Sequence, residues 1–389
     1  MTAPISLLVI GGGPAGLAAA RAFRDYVGDG DVAIVADELR MPYRRPPLTK
    51  ELLRGEIDEA ELPIEPEPWL AEHCVRLIGG RAVALDPDNR TVSLSGGRTL
   101  DYETCLLATG AEPARLPIPG ADDPAVRVLR TLDHLRELNV RLRAEAPVIV
   151  VGSGFIGCEI SASLRRRGHP VTLVSDESAP NEARLGADAA TQIAGWLADD
   201  GTVLHLGQAV ETVERSDGRL RVSAGDARFE AEVVIMAAGV GPRSELAAAA
   251  GISLDDGAIP VDAGMRTRAP GVLAAGDVCL AENPTAGRAL RVEHWGEALA
   301  QGAVAGQTAA GREACWDEVP GFWSTIGSRT LKYAAWGDGF DELRYEPRGD
   351  GFAVFYGREG KLVGVLTYDA DDEYERGRDA VARGVPWSN

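Results

Sequence analysis

Two glycine fingerprints constrain this chain more than any other feature. Gly11-x-Gly13-x-x-Gly16 follows the apolar run Ile5–Ile10, and Gly152-x-Gly154-x-x-Gly157 follows Val148–Val151. Each is followed by residues of helical character, Pro14 and Ala15 onward in the first case and Phe155 and Ile156 onward in the second. A strand, a glycine turn and a helix in that order present backbone N–H groups and the positive end of a helix to a pyrophosphate. One such motif is a weak signal. Two in full context imply two dinucleotides on one polypeptide, one a tightly held flavin and one an exchangeable nicotinamide cofactor.

The flanking pattern repeats as well. The first unit reads as a strand over Ile5–Ile10, a helix over 14–27 and a strand over 31–36. It closes on Asp37-Glu38, about 20 residues past the glycines, where a carboxylate can accept from an adenosine ribose. A solvated turn acid is the rival reading. The second unit reads as a strand over 147–151, a helix over 155–167 and a strand over 171–175, ending in Ser175-Asp176-Glu177. A 2′-phosphate would meet carboxylates there, so NADH is favoured over NADPH; Arg184, within loop reach, is the residue that weighs the other way. Apolar strands ending in small residues recur at Leu106-Leu107-Ala108-Thr109-Gly110, at Ile235-Met236-Ala237-Ala238-Gly239 and at Val272-Leu273-Ala274-Ala275-Gly276-Asp277. Small residues let the backbone come close to a cofactor.

The fold expected is α/β: two Rossmann-like nucleotide-binding domains, one inserted in the other, plus a small α+β C-terminal domain. The flavin domain takes 1–113 and 241–318, the nicotinamide domain 114–240 and the last domain 319–389. The proline-rich stretch 112–124 and Val240–Pro242 are the candidate hinges. Beyond residue 319 the pattern turns aromatic and alternating, with strands over 352–356 and 362–367 around the turn Arg358-Glu359-Gly360.

Composition narrows the function. A net charge of −19 disfavours nucleic acid as a partner. Apolar runs fall short of the roughly 18 residues of a membrane helix, and Ile5–Ile10 runs into Gly11 without a secretory cleavage site, so a cytoplasmic protein is expected. Five cysteines, Cys74, Cys105, Cys158, Cys279 and Cys315, stand singly without CxxC spacing. No metal site, iron–sulfur cluster or disulfide framework is expected from them, and they read as small buried hydrophobes. Lys50, Lys332 and Lys361 are the only lysines in an arginine-rich chain, which makes Lys50 worth following.

The segment Pro42-Tyr43-Arg44-Arg45-Pro46-Pro47-Leu48-Thr49-Lys50, together with Ala275-Gly276-Asp277, Glu293-His294-Trp295 and Phe322-Trp323-Ser324, resembles the FAD-dependent ferredoxin and rubredoxin reductases related to apoptosis-inducing factor. The resemblance covers nearly the whole chain. It implies glutathione-reductase-type nucleotide domains, FAD, NADH, a reductase-type C-terminal domain and a ferredoxin- or rubredoxin-type iron–sulfur protein as electron acceptor, in a monomer or homodimer. It places FAD on Gly11, Gly13, Pro14, Ala15 and Gly16, with Asp37, Glu38, Arg45, Thr109, Gly110, Arg130, Gly276 and Asp277 around it and the backbone of Val83, in a strand over 81–85, at the adenine. The nicotinamide cofactor falls to Gly152, Gly154, Phe155, Ile156, Gly157, Asp176 and Gly239.

Lys50 and Glu159 fall where that family sets a lysine–glutamate pair beside the flavin N5, with Glu159 in the first turn of its helix. An ammonium there would stabilise negative charge arriving on the flavin. A solvated lysine and a helix-dipole acid are the bland alternative. Trp295 and Trp323 would wall the flavin, with Trp323 toward the acceptor, against the alternative of ordinary core tryptophans. His294 is either a flavin neighbour or a structural histidine. The run after Ser324 is Thr325-Ile326-Gly327, which departs from the acidic continuation common in the family and leaves the acceptor's identity open. Disulfide reductases of related fold carry cysteines near position 45; this chain has none there, so no thiol would relay electrons, and flavin chemistry permits their release one at a time. The other readings are an NADH oxidase or quinone reductase, and an NADH-responsive redox sensor. Arg44, Arg45, Arg54 and Arg329 could form a basic docking face for an acidic partner.

Overall fold

The computed structural model describes residues 3–26 and 30–388. The first sheet runs Val75–Gly79, Val32–Ala36, Ile5–Ile10, the second half of Thr99–Leu107 and Val272–Ala274, all parallel. Parallel strands covered on both faces read as unbroken apolar runs, and Val32–Ala36 is buried at every residue. The first half of Thr99–Leu107 pairs instead with an antiparallel meander, Thr91–Leu94 and Ala82–Asp86. The helix expected over 14–27 spans Pro14–Tyr26; Val27 lies outside the described residues.

The second sheet repeats the plan with Val203–His205, Val171–Val174, Val148–Val151, Val233–Met236 and Val126–Arg127, again all parallel. An antiparallel sheet of Thr212–Ser216, Arg219–Ala224 and Ala227–Ala231 packs beside it. The chain enters this region after Ala111–Pro113 and leaves it through Val240–Pro242. Those two segments pair antiparallel, Ala111 opposite Pro242 and Pro113 opposite Val240. A short ribbon therefore joins the two crossings.

The C-terminal region is a five-stranded antiparallel sheet in the order Gly321–Ile326, Arg329–Ala335, Lys361–Tyr368, Gly351–Arg358, Glu342–Arg348. The two strands expected here are longer than the alternation suggested, because a bulge at Tyr356/Gly357 carries the pairing on. Helix Asp371–Ala382 lies against the sheet, its Gly377 pressed on Val365. One apolar cluster joins Leu185, Ile193 and Trp196 of the second region to Phe352, Tyr356 and Leu366 of the third. This packing fixes the C-terminal sheet over the helix that follows the second glycine turn.

Three cysteines are buried, as their composition suggested, but Cys74 and Cys315 are exposed. Both sit in connecting segments, and Cys74 adopts a left-handed φ of 51° where a helical turn ends. Among the described residues no helix is long and apolar enough to cross a membrane.

Candidate active site

The two glycine turns divide labour in the same way. A Cβ on Gly11 would lie 2.0 Å from the Ala108 carbonyl oxygen, and one on Gly16 2.3 Å from the Gly11 oxygen. In the second turn, Gly152 meets the Ala237 oxygen at 2.5 Å and Gly157 meets the Gly152 oxygen at 2.0 Å. These four glycines let strand, turn and helix close on one another. At Gly13 and Gly154 a Cβ would meet nothing within 4 Å. The middle glycine of each turn therefore faces open space at a helix N-terminus, the place a pyrophosphate would take.

Lys50 ties the first region to the helix of the second turn. Pro46–Thr49 winds into one 3-10 turn, Pro46 and Pro47 pre-setting its backbone. This delivers Lys50, 5% exposed, to Glu159, 2% exposed, with the ammonium nitrogen 2.7 Å from Oε2. Thr49 Oγ1 donates to the same oxygen at 2.6 Å, and Ser324 Oγ donates to Oε1 at 2.7 Å. Ser163, one helical turn on from Glu159, donates to the Thr49 carbonyl at 2.7 Å. One carboxylate of the second region thus collects donors from the first region and from the C-terminal sheet. Glu159 is the fifth residue of helix Phe155–Arg166, so it opens the second turn rather than lying in the first. That depth places it against the 46–54 segment, away from the dipole end. Buried charges are costly unless paired and hydrogen-bonded, and here every carboxylate oxygen has a partner.

Around the first turn, Arg130 and Asp277 form an ion pair at 2.5 Å, and Arg45 donates to the Arg130 carbonyl at 2.9 Å. Of the two candidate ribose acids, Glu38 turns inward. It accepts from Tyr43 OH at 2.8 Å and from Arg45 at 3.4 Å, whereas Asp37 stays exposed beside Arg243. Burial pushes the Tyr43 hydroxyl up to about 12, so it remains a donor. Val83 is the extra residue where the ladder of Ala82–Asp86 slips, which frees its backbone from the ladder. Thr109 Oγ1 donates to the Arg243 carbonyl, and Gly110 takes a φ of 71°. Gly276, with a φ of 80°, lies against Ala15. The open Gly13, the bulged Val83 and the Arg130–Asp277 pair together suit a bound flavin dinucleotide.

Around the second turn, Asp176 is exposed, and its neighbour Glu177 accepts from Ser153 Oγ within the turn. Ile156 is exposed, and Gly239 carries a φ of 96°. The Phe155 ring meets Phe322 edge-on at 4.7 Å, and Phe322 meets His294 at 4.5 Å. His294 caps helix Trp295–Ala309; burial, aided by the charge of Arg184, pushes its imidazole down to about 4, and its Nδ1 has no partner among the described residues. Trp295 is half-buried. Trp323 is 49% exposed, on the face of its strand opposite Phe322 and Ser324, with Lys332 as its cross-strand neighbour. Trp323 therefore points away from the face that reaches Glu159.

Thr49, Ser163 and Ser324 were not foreseen as site residues: Thr49 and Ser324 stand inside the motifs that carry the family resemblance, but nothing in sequence says that their hydroxyls, or that of Ser163, would converge around Glu159. Nor were Gly302 and Gly306, where a Cβ would come within 2.2 Å of the Ala15 and Ala19 oxygens. Their i, i+4 spacing was the available signal; it marks the line along which helix Trp295–Ala309 lies on the first glycine-turn helix. The thiol of Cys158, adjacent to Glu159, donates to the Ser153 carbonyl, and burial holds it protonated. The four arginines suggested as a docking face are engaged separately: Arg44 with the Glu61 carbonyl, Arg45 with Glu38, Arg54 with Glu51 and Glu56, and Arg329 with Asp199 and Asp200. They make no free basic face, because neighbouring carboxylates and carbonyls take up their donors.

Residues 5–302 match the pyridine nucleotide-disulphide oxidoreductase family. Rhodocoxin reductase of Rhodococcus erythropolis is 30% identical over 388 residues, covering 98% of this chain and 90% of that protein. Among solved structures, the ferredoxin reductase for the CYP199A2 system of Rhodopseudomonas palustris superposes with a TM-score of 0.90 at 30% identity, over 95% of this chain and 93% of that one. The covalent complex of putidaredoxin reductase with putidaredoxin gives 0.92 at 27%, over 98% and 93%. With two glycine turns that make the same backbone contacts, a buried lysine–glutamate pair at the helix of the second, and these similarities along its length, the chain is a flavin- and pyridine-nucleotide-dependent oxidoreductase that belongs to the pyridine nucleotide-disulphide oxidoreductase family.

Proposed function

We propose that this chain is an NADH-dependent reductase that holds FAD and hands single electrons to a ferredoxin- or rubredoxin-type iron–sulfur protein, serving an oxygenase. The observation that carries this reading is the buried Lys50–Glu159 pair, with no cysteine in the segment 42–50 that supplies the lysine. Bound at the first glycine turn, the flavin supplies the change from a two-electron donor to a one-electron one. Lys50 sets a fixed positive charge at the junction of the two nucleotide sites, where it favours negative charge arriving on a ring system. Glu159, saturated by Lys50, Thr49 and Ser324, holds that ammonium in place. His294, neutral at ordinary pH, and the Phe155–Phe322 pair keep water from the junction. Asp176 and Glu177 at the end of the second nucleotide strand disfavour a 2′-phosphate and support NADH over NADPH.

The relatives named for rhodocoxin, putidaredoxin and CYP199A2 systems support the choice of acceptor. The test is steady-state turnover of the FAD-loaded protein with NADH and NADPH side by side, using a panel of small iron–sulfur proteins. Turnover that depends on one of them, with NADH preferred, is expected. Equal turnover with oxygen or a quinone alone would replace this reading with that of an oxidase or quinone reductase.

A further inference from the structure

Arg184 lies on the short helix Glu182–Leu185, beyond the end of the second nucleotide strand, and is exposed. Its guanidinium sits 6.0 Å from the centroid of the Phe155 ring, the first residue of the helix that follows Gly154. The same positive charge acts on His294 and on Tyr333, lowering both against or along with their burial. Phe155, His294 and Tyr333 all pack around Phe322. The neighbours of Arg184 thus lie on the side of the glycine turn that leads to Lys50 and Glu159. Asp176 and Glu177, where an adenosine ribose would end, are not among them. In a chain of net charge −19, whose arginines repeatedly pair with carboxylates, Arg184 makes no ion pair among the described residues.

A guanidinium has the flat, forked geometry that matches phosphate. An aromatic face can orient it without neutralising it, and the adjoining helix N-terminus adds to the attraction for an anion. We propose that Arg184 grips the nicotinamide-side phosphate of the bound dinucleotide, and so governs affinity for NADH and NADPH alike instead of reading a 2′-phosphate. This rests on the nicotinamide site proposed above. It also removes the one residue in the sequence that argued against an NADH preference: Arg184 is near the cofactor, at its other end.

The test uses the FAD-loaded protein and its Arg184→Ala and Arg184→Lys variants, titrated with NAD+, NADP+, ADP-ribose and AMP. Arg184→Ala is expected to weaken NAD+ and ADP-ribose about tenfold, equivalent to ~1.4 kcal/mol. AMP, which lacks that phosphate, should bind as before, and the ratio of NAD+ to NADP+ affinity should stay fixed. Arg184→Lys should recover part of the loss, and in turnover the change should fall on KM for NADH. Unchanged NAD+ binding, or a loss confined to NADP+, overturns the assignment of Arg184. A wild-type protein that binds neither dinucleotide overturns the nicotinamide site itself, a different result.

Discussion

The two glycine turns make matching internal backbone contacts and differ in their surroundings. Around the first, other parts of the chain close in: Gly302 and Gly306 bring a helix onto Ala15 and Ala19, Arg130 and Asp277 bridge, and Tyr43 and Arg45 tie down Glu38. Around the second, Ile156 and Asp176 are exposed and Arg184 has no counter-ion among the described residues. The same local motif can thus serve a nucleotide that stays or one that comes and goes. What differs is the enclosure built from distant sequence, since a ligand contacted on all sides must wait for several elements to move together.

The largest test of this contrast lies where the two sites meet. Lys50→Ala should leave FAD bound, because the enclosure of the first turn is intact, while stopped-flow reduction by NADH slows by roughly 10²–10³-fold, the scale of removing one preorganised charge. Undiminished reduction would sever Lys50 from the chemistry. The paired variants Gly13→Ala and Gly154→Ala come next. Neither Cβ meets protein, and Gly154 has a φ of −65°, open to any residue, so thermal stability should hold. Gly13→Ala should lower the flavin content of the purified protein, whereas Gly154→Ala should keep full flavin and raise KM for NADH on the order of tenfold. If both variants lose flavin equally, the contrast between the turns is wrong.

Ser324→Ala should act more gently. It strips Glu159 Oε1 of its donor, and an unpaired buried acceptor costs about 1–3 kcal/mol. We expect reduced stability in urea and reduction by NADH slower by about threefold to tenfold. The smallest effect is in pH. His294 stays neutral when folded down to about 4, but its ordinary value is 6.5. Between those values the unfolded chain binds the extra proton, so stability falls as pH drops through that window. His294→Gln should flatten the slope of urea midpoint against pH there; an unchanged slope would show that His294 titrates normally.

Much of the nucleotide-binding plan was legible, because glycines that permit close backbone approach and apolar parallel strands leave strong, local patterns. Lys50 and Glu159 were found through the motifs around them. The hydroxyls of Thr49, Ser163 and Ser324 were not, since their roles exist only once three regions converge. Asp37 and Glu38 show the same limit at one-residue scale: adjacent carboxylates look alike in sequence, and Tyr43 decides which turns inward. Trp323 shows it through strand alternation, which sends it to the face opposite Ser324. The arginine face failed because sequence shows the cations and hides the carboxylates folded beside them.

The ribbon of Ala111–Pro113 and Val240–Pro242 has an evolutionary corollary. Entry and exit of the second nucleotide unit lie on hydrogen-bonded neighbours, roughly 5 Å apart as in any antiparallel ladder. An ancestral one-nucleotide protein could therefore have received the whole unit at a single surface loop without parting the strands on either side. The converse operation is equally simple: joining 113 to 240 across that gap excises the unit as a cassette, and a chimaera could accept a replacement with different cofactor tastes at the same two points.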